Sequence, residues 1–264
     1  MIQLVCIDVD GTLVGSSGTV LPESWAAAAR VRARGMRLAI CSGRPAFGIT
    51  GEYAERLDQN GWHIFQNGAS ILHLATGESR SACIALEIVR DLISGARRGG
   101  RLLELYTDTA YAVESTGPRA RAHAGLLGVP FVPRPFESLH GSIVRAQWLM
   151  APDDLEALQR ESHPGLEVSP SLSPVMPDTL FVNLTPVGVD KASAVRAVAG
   201  AYGVPLEEVM LVGDGLNDAA AMREVGYPVA MGNAEPEVLA IARRTVKHVD
   251  EGGLAEALAL ALDA

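Results

Sequence analysis

Short apolar runs alternate with helical stretches through the first third of the chain, and this order restricts the fold more than any other feature. Ile2–Ile7 and Met36–Cys41 are predicted as buried strands because they are short, apolar and followed by turn residues. Ser24–Arg34 between them is predicted as a helix that stops at Gly35, and Trp62–Gln66 as a third strand. This βαβαβ order predicts a parallel sheet with right-handed crossovers.

The last third of the chain resumes the same alternation, so both ends are expected to build one sheet. The fold class predicted from this order is α/β, with a Rossmann-like, doubly wound parallel sheet core formed by residues 1–80 and 187–264. The elements predicted after residue 187 are, in order, helix Lys191–Tyr202, strand Val209–Val212, helix Asn217–Glu224, strand Pro228–Met231, edge strand Thr245–Val249 and helix Leu254–Leu262.

The middle third has a different pattern. Its helices are segregated from strands that look antiparallel, which is typical of a separate α+β domain, and we place the inserted domain at residues 81–186. The elements predicted in it are helix Ala82–Arg98, strands within Leu102–Glu114, strand Ser142–Met150, helix Asp153–Ser162 and strand Thr179–Leu184.

Composition excludes several classes of partner. The formal net charge of −9 argues against nucleic acid or an anionic membrane as a general partner. Cys6, Cys41 and Cys83 lack metal-ligand spacing, and the first two lie in apolar runs, which predicts buried free thiols in a reducing compartment. No apolar run approaches the ~18 residues that span a membrane. The expectation is a soluble cytoplasmic protein, a monomer or a homodimer.

Polar side chains gather where the predicted parallel strands end. In open parallel sheets, ligands bind beyond the carboxyl ends of the strands, so these residues are candidates for one site. Taken singly, each also fits a helix cap or a turn. The residues at the strand ends are Asp8, Asp10, Ser42, Asn67, Asp214 and Asn217.

The segment Asp8-Val9-Asp10-Gly11-Thr12 is the strongest of these signals. Side chains at i and i+2 of a strand share a face, roughly 6–7 Å apart. If the turn brought the two carboxylates to about 4 Å, their repulsion would cost about 4 kcal/mol at an effective dielectric constant near 20. A divalent cation would remove that cost. The pattern therefore predicts a carboxylate nucleophile, a second carboxylate for proton transfer, and a metal; the alternative is a strand-ending Asp-Gly turn with a helix cap.

Two further features have competing interpretations. Gly213-x-Gly215 resembles the start of a dinucleotide-binding fingerprint, but Asp218 replaces the third glycine and Asp214 would repel a pyrophosphate. Lys191 opens a predicted helix, where a cation is disfavoured by about 0.3–1 kcal/mol. An ammonium group beside a helix N-terminus would help to hold a phosphate, whereas the alternative is a solvated lysine.

Taken in order, these segments resemble the motifs of the haloacid dehalogenase (HAD) superfamily of hydrolases, and within it the Cof-type phosphatases with a larger cap between the second and third motifs. Asn67-Gly68-Ala69 and Val229–Ala234 also look like this subfamily, whereas Ala192 stands where the family often has Gly. The matching motifs are Asp8-Val9-Asp10-Gly11-Thr12-Leu13, Ser42-Gly43-Arg44, Lys191 and Gly213-Asp214-Gly215-Leu216-Asn217-Asp218.

The resemblance implies a phosphoric monoester hydrolase with Mg²⁺ as its cofactor. Asp8 would attack phosphorus and become an aspartyl-phosphate, and Asp10 would act as the general acid and then the general base. Mg²⁺ would be held by the Asp8 carboxylate, the Asp10 carbonyl and Asp214, with Asp218 supporting that shell.

The remaining matched residues would bind the substrate. Ser42, Lys191, Asn217 and turn amides such as that of Gly43 would hold the phosphoryl oxygens. Thr12 would orient the first loop, and Arg44 would contact the substrate.

Other functions stay open at this point. Asp10 distinguishes phosphatases from the dehalogenases of the superfamily, and the first motif does not resemble that of the ATP pumps. A phosphomutase or phosphotransferase would keep similar motifs. A non-catalytic, receiver-like phosphate-binding protein would need only about half this length and no inserted domain.

The inserted domain would act as a lid that excludes water and contacts the leaving group of a small phosphorylated metabolite such as a sugar phosphate. Most of its polar residues are expected to lie on a solvated face or in the core. The candidates for substrate contact are Arg119, His123, Arg145 and Trp148.

Overall fold

The computed structural model describes residues 1–173 and 175–264, and the chain divides into two compact units. The first unit comprises Met1–Arg44, Thr50–Arg80 and Asp190–Ala264, and the second comprises Pro45–Ile49 and Ser81–Val189.

The helices and strands follow the predicted alternation at both ends of the chain. Up to residue 80 they are β1 (Leu4–Ile7), α1 (Pro22–Ala33), β2 (Arg37–Ile40), α2 (Ile49–Asp58), β3 (Trp62–Phe65), β4 (Ser70–His73) and β5 (Glu78–Ser79). The next are α3 (Leu86–Gly99), β6 (Leu103–Tyr106), β7 (Tyr111–Val113), α4 (Pro118–Leu127), β8 (Arg145–Met150), α5 (Leu155–Leu158), β9 (Leu166–Ser173) and β10 (Met176–Pro186). The last are α6 (Lys191–Tyr202), β11 (Val209–Gly213), α7 (Leu216–Met222), β12 (Tyr227–Ala230), α8 (Pro236–Ile241), β13 (Arg244–Thr245) and α9 (Gly253–Asp263).

The first unit contains a five-stranded sheet in the order β13-β12-β11-β1-β2, in which every neighbouring pair is parallel. The central strand β1 is buried along its whole length, as expected for a continuous apolar run covered on both faces. The order places the carboxyl ends of β11, β1 and β2 side by side. The predicted parallel α/β core is therefore confirmed.

The third predicted strand differs from the expectation of a simple continuation of that sheet. β3 pairs antiparallel with β4 in a three-stranded sheet, and an isolated parallel bridge joins Cys41 to Ile64. Beside this bridge the main-chain N–H of Ile40 donates to Nδ1 of His63 at 3.0 Å. A side chain thus accepts a hydrogen bond that a strand carbonyl would otherwise accept, so the regular ladder stops there.

Helix α6 begins and ends where the sequence predicts. Asp190 caps it by accepting a hydrogen bond from the main-chain N–H of Ser193 at 2.7 Å. Gly203 ends it with a left-handed φ of +67°, a conformation that glycine adopts without steric cost. Lys191 is therefore fixed in the first turn of α6.

The second unit is built on a five-stranded antiparallel sheet in the order β7-β6-β8-β10-β9. Alternation along the strands gives the sheet two different faces. Leu105, Ala146 and Trp148 share a buried apolar cluster with Leu92 of α3. The intervening residues, Glu104 among them, lie on the other face.

Several predicted elements of the second unit are wrong in extent. The helix predicted over Asp153–Ser162 is reduced to α5 after a short 3₁₀ turn, because the N–H groups of Arg160 and Glu161 donate to carbonyls three residues back and no longer extend the α-helical pattern. No strand is predicted between the helix ending at Ser162 and Thr179–Leu184, yet β9 forms there and pairs antiparallel with β10, which begins before Thr179. The helix predicted from Ala82 begins at Leu86.

None of the helices described within residues 1–173 and 175–264 has the length and apolar character needed to cross a membrane. Cys6 and Cys41 are buried free thiols, as predicted, and Cys83 is exposed.

Candidate active site

Three segments of the first unit are joined by side-chain hydrogen bonds: the loop after β1, the start of α6 and the segment from β11 into α7. Lys191 at the start of α6 contacts Asp8 in the loop after β1 and Asp218 in the first turn of α7. Thr12 of the first loop donates to Asp214 Oδ1 at 2.7 Å. The polar residues at these strand ends therefore form one cluster, as the parallel sheet requires.

Lys191 and Asp8 form the buried centre of this cluster. Nζ of Lys191 lies 2.7 Å from Oδ1 of Asp8 and 2.6 Å from Oδ1 of Asp218. Burial lowers the pKa of Lys191, but the carboxylates of Asp218 and Asp8 raise it by more. The pKa of Lys191 therefore lies above its ordinary value. The ammonium group is therefore always charged, and it fixes one oxygen of Asp8.

The carboxylates outnumber this cation. Asp8, Asp214 and Asp218 each offer an oxygen within 4.8 Å of the others. Burial raises the pKa of Asp8 well above its usual range; Lys191 lowers it, and Asp218 and Asp214 raise it again. Burial, only partly offset by the Thr12 hydrogen bond, raises the pKa of Asp214 to about 6. The cluster therefore carries an unmet demand for positive charge.

Hard oxygen donors around an excess of negative charge are what Mg²⁺ requires, so the residues present fit the metal that the sequence predicts. Asp218 itself is held in place by main-chain N–H groups of Asp214 and Gly215, which donate to its Oδ2 at 3.2 and 3.1 Å. Its other oxygen accepts from Lys191. Asp218 is thus suited to orient the group of carboxylates.

Two glycines let the loops approach so closely. Gly11 has a φ of +80°, and a Cβ at this position would overlap the carboxylate of Asp214. A Cβ at Gly213 would overlap that of Asp218. The glycines in the first and fourth motifs are therefore needed for the packing of the carboxylates.

Asp8 and Asp10 do not lie on one face of a strand, because β1 ends at Ile7, before both residues. The Asp10 side chain is 61% exposed, and its charge acts on Asp8 and Asp214. Arg44 binds the Asp10 carboxylate with two donors, Nε at 2.9 Å and Nη2. Burial lowers the pKa of Arg44, but the Asp10 hydrogen bond raises it, and the net pKa is above the usual value. The carboxylates grouped with Asp8 are Asp214 and Asp218.

The second motif lies next to the loop after β3. The Ser42 hydroxyl is buried and accepts a hydrogen bond from the Arg44 N–H at 3.1 Å, and the Ser42 carbonyl accepts from Asn67. Asn217 Nδ2 donates to Asn67 Oδ1 at 3.0 Å. A Cβ at Gly43 would lie 3.1 Å from the same Asn67 oxygen, so the backbone of the second motif passes close to this amide pair.

Comparison with known proteins decides the family. The profile of the haloacid dehalogenase-like hydrolases matches residues 5–258. The chain belongs to the haloacid dehalogenase-like hydrolase family. A solved structure of the same family has the same fold over nearly the whole chain. This HAD-like hydrolase from Bacteroides thetaiotaomicron superposes with a TM-score of 0.86 at 25% sequence identity, and the match covers 98% of this chain and 99% of that one.

Curated relatives extend the comparison to named enzymes. The pyridoxal phosphate phosphatase of Escherichia coli is 30% identical over 90% of both chains. The 5-amino-6-(5-phospho-D-ribitylamino)uracil phosphatase of Bacillus subtilis is 24% identical over 99% of this chain and 94% of its own. These similarities span both units of the HAD hydrolase described above.

The HAD site contains one residue that sequence reasoning did not select as a site residue. Asn233 Nδ2 donates to the Gly11 carbonyl at 2.8 Å and to Asp214 Oδ2 at 3.3 Å, while its Oδ1 accepts from Val249 at 3.0 Å. The signal was available, because Asn233 follows the end of β12 as the other site residues follow theirs.

The four polar residues proposed for the inserted domain are not brought together in the second unit. Arg119 donates to Thr179 and to the Asp178 carbonyl, and Trp148 lies in the apolar cluster. His123 and Arg145 lie near Glu104 and Tyr106 instead.

The second unit also has a cavity of about 510 Å³ between α3 and the segment before β9. Trp148, Arg101 and His163 line it, and no residue of the four motifs does. It is therefore separate from the carboxylate cluster.

Proposed function

We propose that this HAD hydrolase is a Mg²⁺-dependent phosphatase that hydrolyses a small phosphorylated metabolite through an aspartyl-phosphate on Asp8. The observation that carries the proposal is the buried Asp8 carboxylate, held by Lys191 at 2.7 Å and grouped with Asp214 and Asp218. The phosphatase names of the two curated relatives support the reaction.

Asp8 is the proposed nucleophile. A carboxylate attacks phosphorus only when it is ionised and correctly oriented. The Lys191 contact favours the ionised form and fixes Oδ1, so the rest of the carboxylate is held in one orientation. The P–O bond to the leaving alcohol breaks as the Asp8–phosphorus bond forms.

Asp10 is the proposed acid and base. In the described conformation its carboxylate is paired with Arg44. As a carboxylate it can take a proton from water in the second step. Protonating the leaving alcohol in the first step requires Asp10 to carry a proton and to leave Arg44. Arg44 would then be free to bind a phosphoryl oxygen, for which its planar donors are well matched.

Asp8, Asp214 and the Asp10 carbonyl would hold Mg²⁺, with Asp218 orienting the shell. When bound, the ion supplies positive charge to the phosphoryl oxygens and neutralises the carboxylate excess.

The other proposed contacts with phosphoryl oxygens are Lys191, Ser42, Asn217 and the Gly43 amide. Lys191 supplies a cation and the others supply hydrogen-bond donors. Asn67 orients Asn217 by accepting from its amide. Thr12 and Asn233 keep Asp214 in position from two sides.

The proposed substrate class rests on the relatives. Both named relatives act on phosphate esters of small molecules, and we extend that class to this protein, with a sugar phosphate among the candidates. The inserted residues 81–186 are proposed as the part that selects the substrate.

The buried free thiols of Cys6 and Cys41 fit a cytoplasmic location.

The test is phosphate release from a panel of small phosphoesters by wild type, Asp8→Asn and Asp10→Asn, with Mg²⁺ and with a chelator. We expect Mg²⁺-dependent release by wild type and none by Asp8→Asn. Transfer of the phosphoryl group to an added alcohol without release would instead identify a phosphotransferase, and activity that persists in Asp8→Asn would refute the proposal.

A further inference from the structure

The second unit contains a buried polar cluster on the sheet face opposite α3. Glu104 of β6 is fully buried there, and its Oε2 accepts hydrogen bonds from the hydroxyl of Tyr106 and from Nδ1 of His123, the latter at 2.8 Å. Arg145 lies over the ring of Tyr106, 4.0 Å from its centroid. Burying a carboxylate on a strand is costly unless its oxygens have partners.

One oxygen of this carboxylate is without such a partner. Within the described part of the chain, Oε1 of Glu104 and Oε1 of Gln147 are both buried and accept no hydrogen bond. The two residues are directly opposite each other on β6 and β8, so their side chains share the same face. Leaving a buried acceptor unfilled costs free energy, and two adjacent ones indicate a position for an external donor.

The unfilled atoms define the chemistry of the missing group. Both are acceptors, and one belongs to a carboxylate, so hydroxyl and ammonium groups are the donors that fit these two atoms. The hydroxyl of Tyr111 is also buried without a partner among the described residues, and it can donate or accept. A molecule with several hydroxyl groups, or with an amino group beside a hydroxyl group, would satisfy this set.

The cluster reaches solvent at its aromatic end. Phe47 and Tyr111 are half-buried, and the ring of Phe47 lies parallel to those of Tyr106 and Tyr111, at centroid distances of 6.4 and 6.0 Å. A ligand would enter past these rings, whereas Glu104 and Gln147 lie deeper.

We propose that Glu104 and Gln147 form a binding site, the acceptor pair, for the hydroxyl or ammonium groups of a small molecule. The molecule is either the alcohol portion of the phosphoester substrate or a separate polyol or amino alcohol. The first source rests on the proposed phosphatase function, and the second does not.

The first arm of the test compares matched esters. Glycerol 3-phosphate and n-propyl phosphate differ in two hydroxyl groups, and phosphoethanolamine and ethyl phosphate differ in an amino group. If the substrate is the ligand, wild type prefers the first ester of each pair in kcat/KM, and Glu104→Gln reduces that preference by about 10- to 100-fold. The variant keeps the shape of the side chain, but its NH₂ group replaces an acceptor with a donor. Gln147→Met should act in the same direction.

Glu137→Gln is the matched control, because Glu137 is exposed and pairs with Arg97. It should leave the preference unchanged. Within each variant, the rate with n-propyl phosphate or ethyl phosphate is the reference for the preference, so a general change in activity cancels in the ratio.

The second arm measures binding without turnover. Glycerol and ethanolamine are titrated into the full chain while the side-chain amide resonances of Gln147 are followed by NMR. Shifts that are absent in Glu104→Gln, without any ester preference, would support a separate ligand. If no ester is hydrolysed, the proposed function fails, and the binding measurement alone decides whether the acceptor pair binds a ligand. No ester preference together with no shift overturns the acceptor pair.

Discussion

The ammonium group of Lys191 lies 2.7 Å from Oδ1 of Asp8, and both side chains are buried. Of the 22 Lys and Arg residues in the chain, only Lys191 and Lys247 are lysines. Lysine presents a compact charge, whereas arginine presents a planar fork that would need more space between the two carboxylates that Lys191 joins. The relationship explains why a lysine stands at this position in an arginine-rich chain.

Replacing Lys191 with Met should both stop catalysis and destabilise the protein. The change leaves Asp8 and Asp218 without their cation, which typically costs about 3–5 kcal/mol for a broken buried pair. Mg²⁺ should restore part of the lost Tm because it supplies positive charge to the same carboxylates. Lys247→Met is the control, since Lys247 is exposed. A Tm and rate equal to wild type in Lys191→Met would contradict this interpretation.

Gly11→Ala should lower activity by at least about 100-fold, because its methyl group would displace Asp214 from the site. Gly18 provides a matched control: its φ is +69°, close to the +80° of Gly11, but no atom lies within 4 Å of a Cβ built there. Gly18→Ala should therefore show only the backbone strain, about 1–2 kcal/mol of stability, with normal kinetics. Equal kinetic losses in the two variants would show that backbone strain, not overlap with Asp214, is responsible.

Arg44→Lys should lower kcat/KM by about 10- to 100-fold while the fold stays intact. Lysine keeps the charge but loses the two-donor contact with Asp10 that Arg44 makes. Arg56→Lys, on the exposed side of α2, is the control and should behave as wild type. Steady-state kinetics on the best ester of the panel would measure both, and an unchanged Arg44→Lys would remove Arg44 from the site.

Stability should fall on acidification because of His63. Burial lowers the pKa of His63 from 6.5 to about 4. The ring must also be neutral for Nδ1 to accept the hydrogen bond from the Ile40 N–H. Between these values the unfolded chain binds the extra proton, so the free energy of unfolding decreases as pH falls from 6.5 to 4, by up to about 3 kcal/mol. This contribution is complete above pH 6.5 and lost below pH 4.

His63→Asn isolates that contribution, because an amide oxygen can replace Nδ1 as the acceptor without titrating. Urea unfolding at several pH values should give a shallower dependence for the variant between pH 4 and 6.5. Parallel curves for the two proteins would show that His63 does not titrate as described.

Local pattern was sufficient for the parallel core and for the grouping of its strand-end residues. The Ala- and Val-rich helical stretch and the Gly203 stop predict α6 to the residue. The rule that ligands bind at strand ends selects Asp8, Ser42 and Asp214 as candidates. These features depend on neighbours in sequence or on the geometry common to all parallel sheets.

What the sequence could not supply depends on contacts between distant residues. The Asp10–Arg44 pair requires knowing that the chain leaves β1 after Ile7, and the His63–Ile40 bond requires knowing where the ladder stops. Strand β9 forms despite its proline because its pairing with β10 outweighs the low strand propensity of its sequence.

The most direct test of the proposed nucleophile is to trap the phosphorylated enzyme. An aryl phosphate, whose leaving group departs without being protonated, is added with Mg²⁺ to Asp10→Asn, so that the first step proceeds and the second is slowed. The reaction is quenched in acid, reduced with borohydride and mapped by mass spectrometry. We predict homoserine at position 8, formed by reduction of the aspartyl-phosphate, and none in the variant that also carries Asp8→Asn. Modification at another residue, or turnover by Asp8→Asn, would contradict the assignment of Asp8 as the nucleophile.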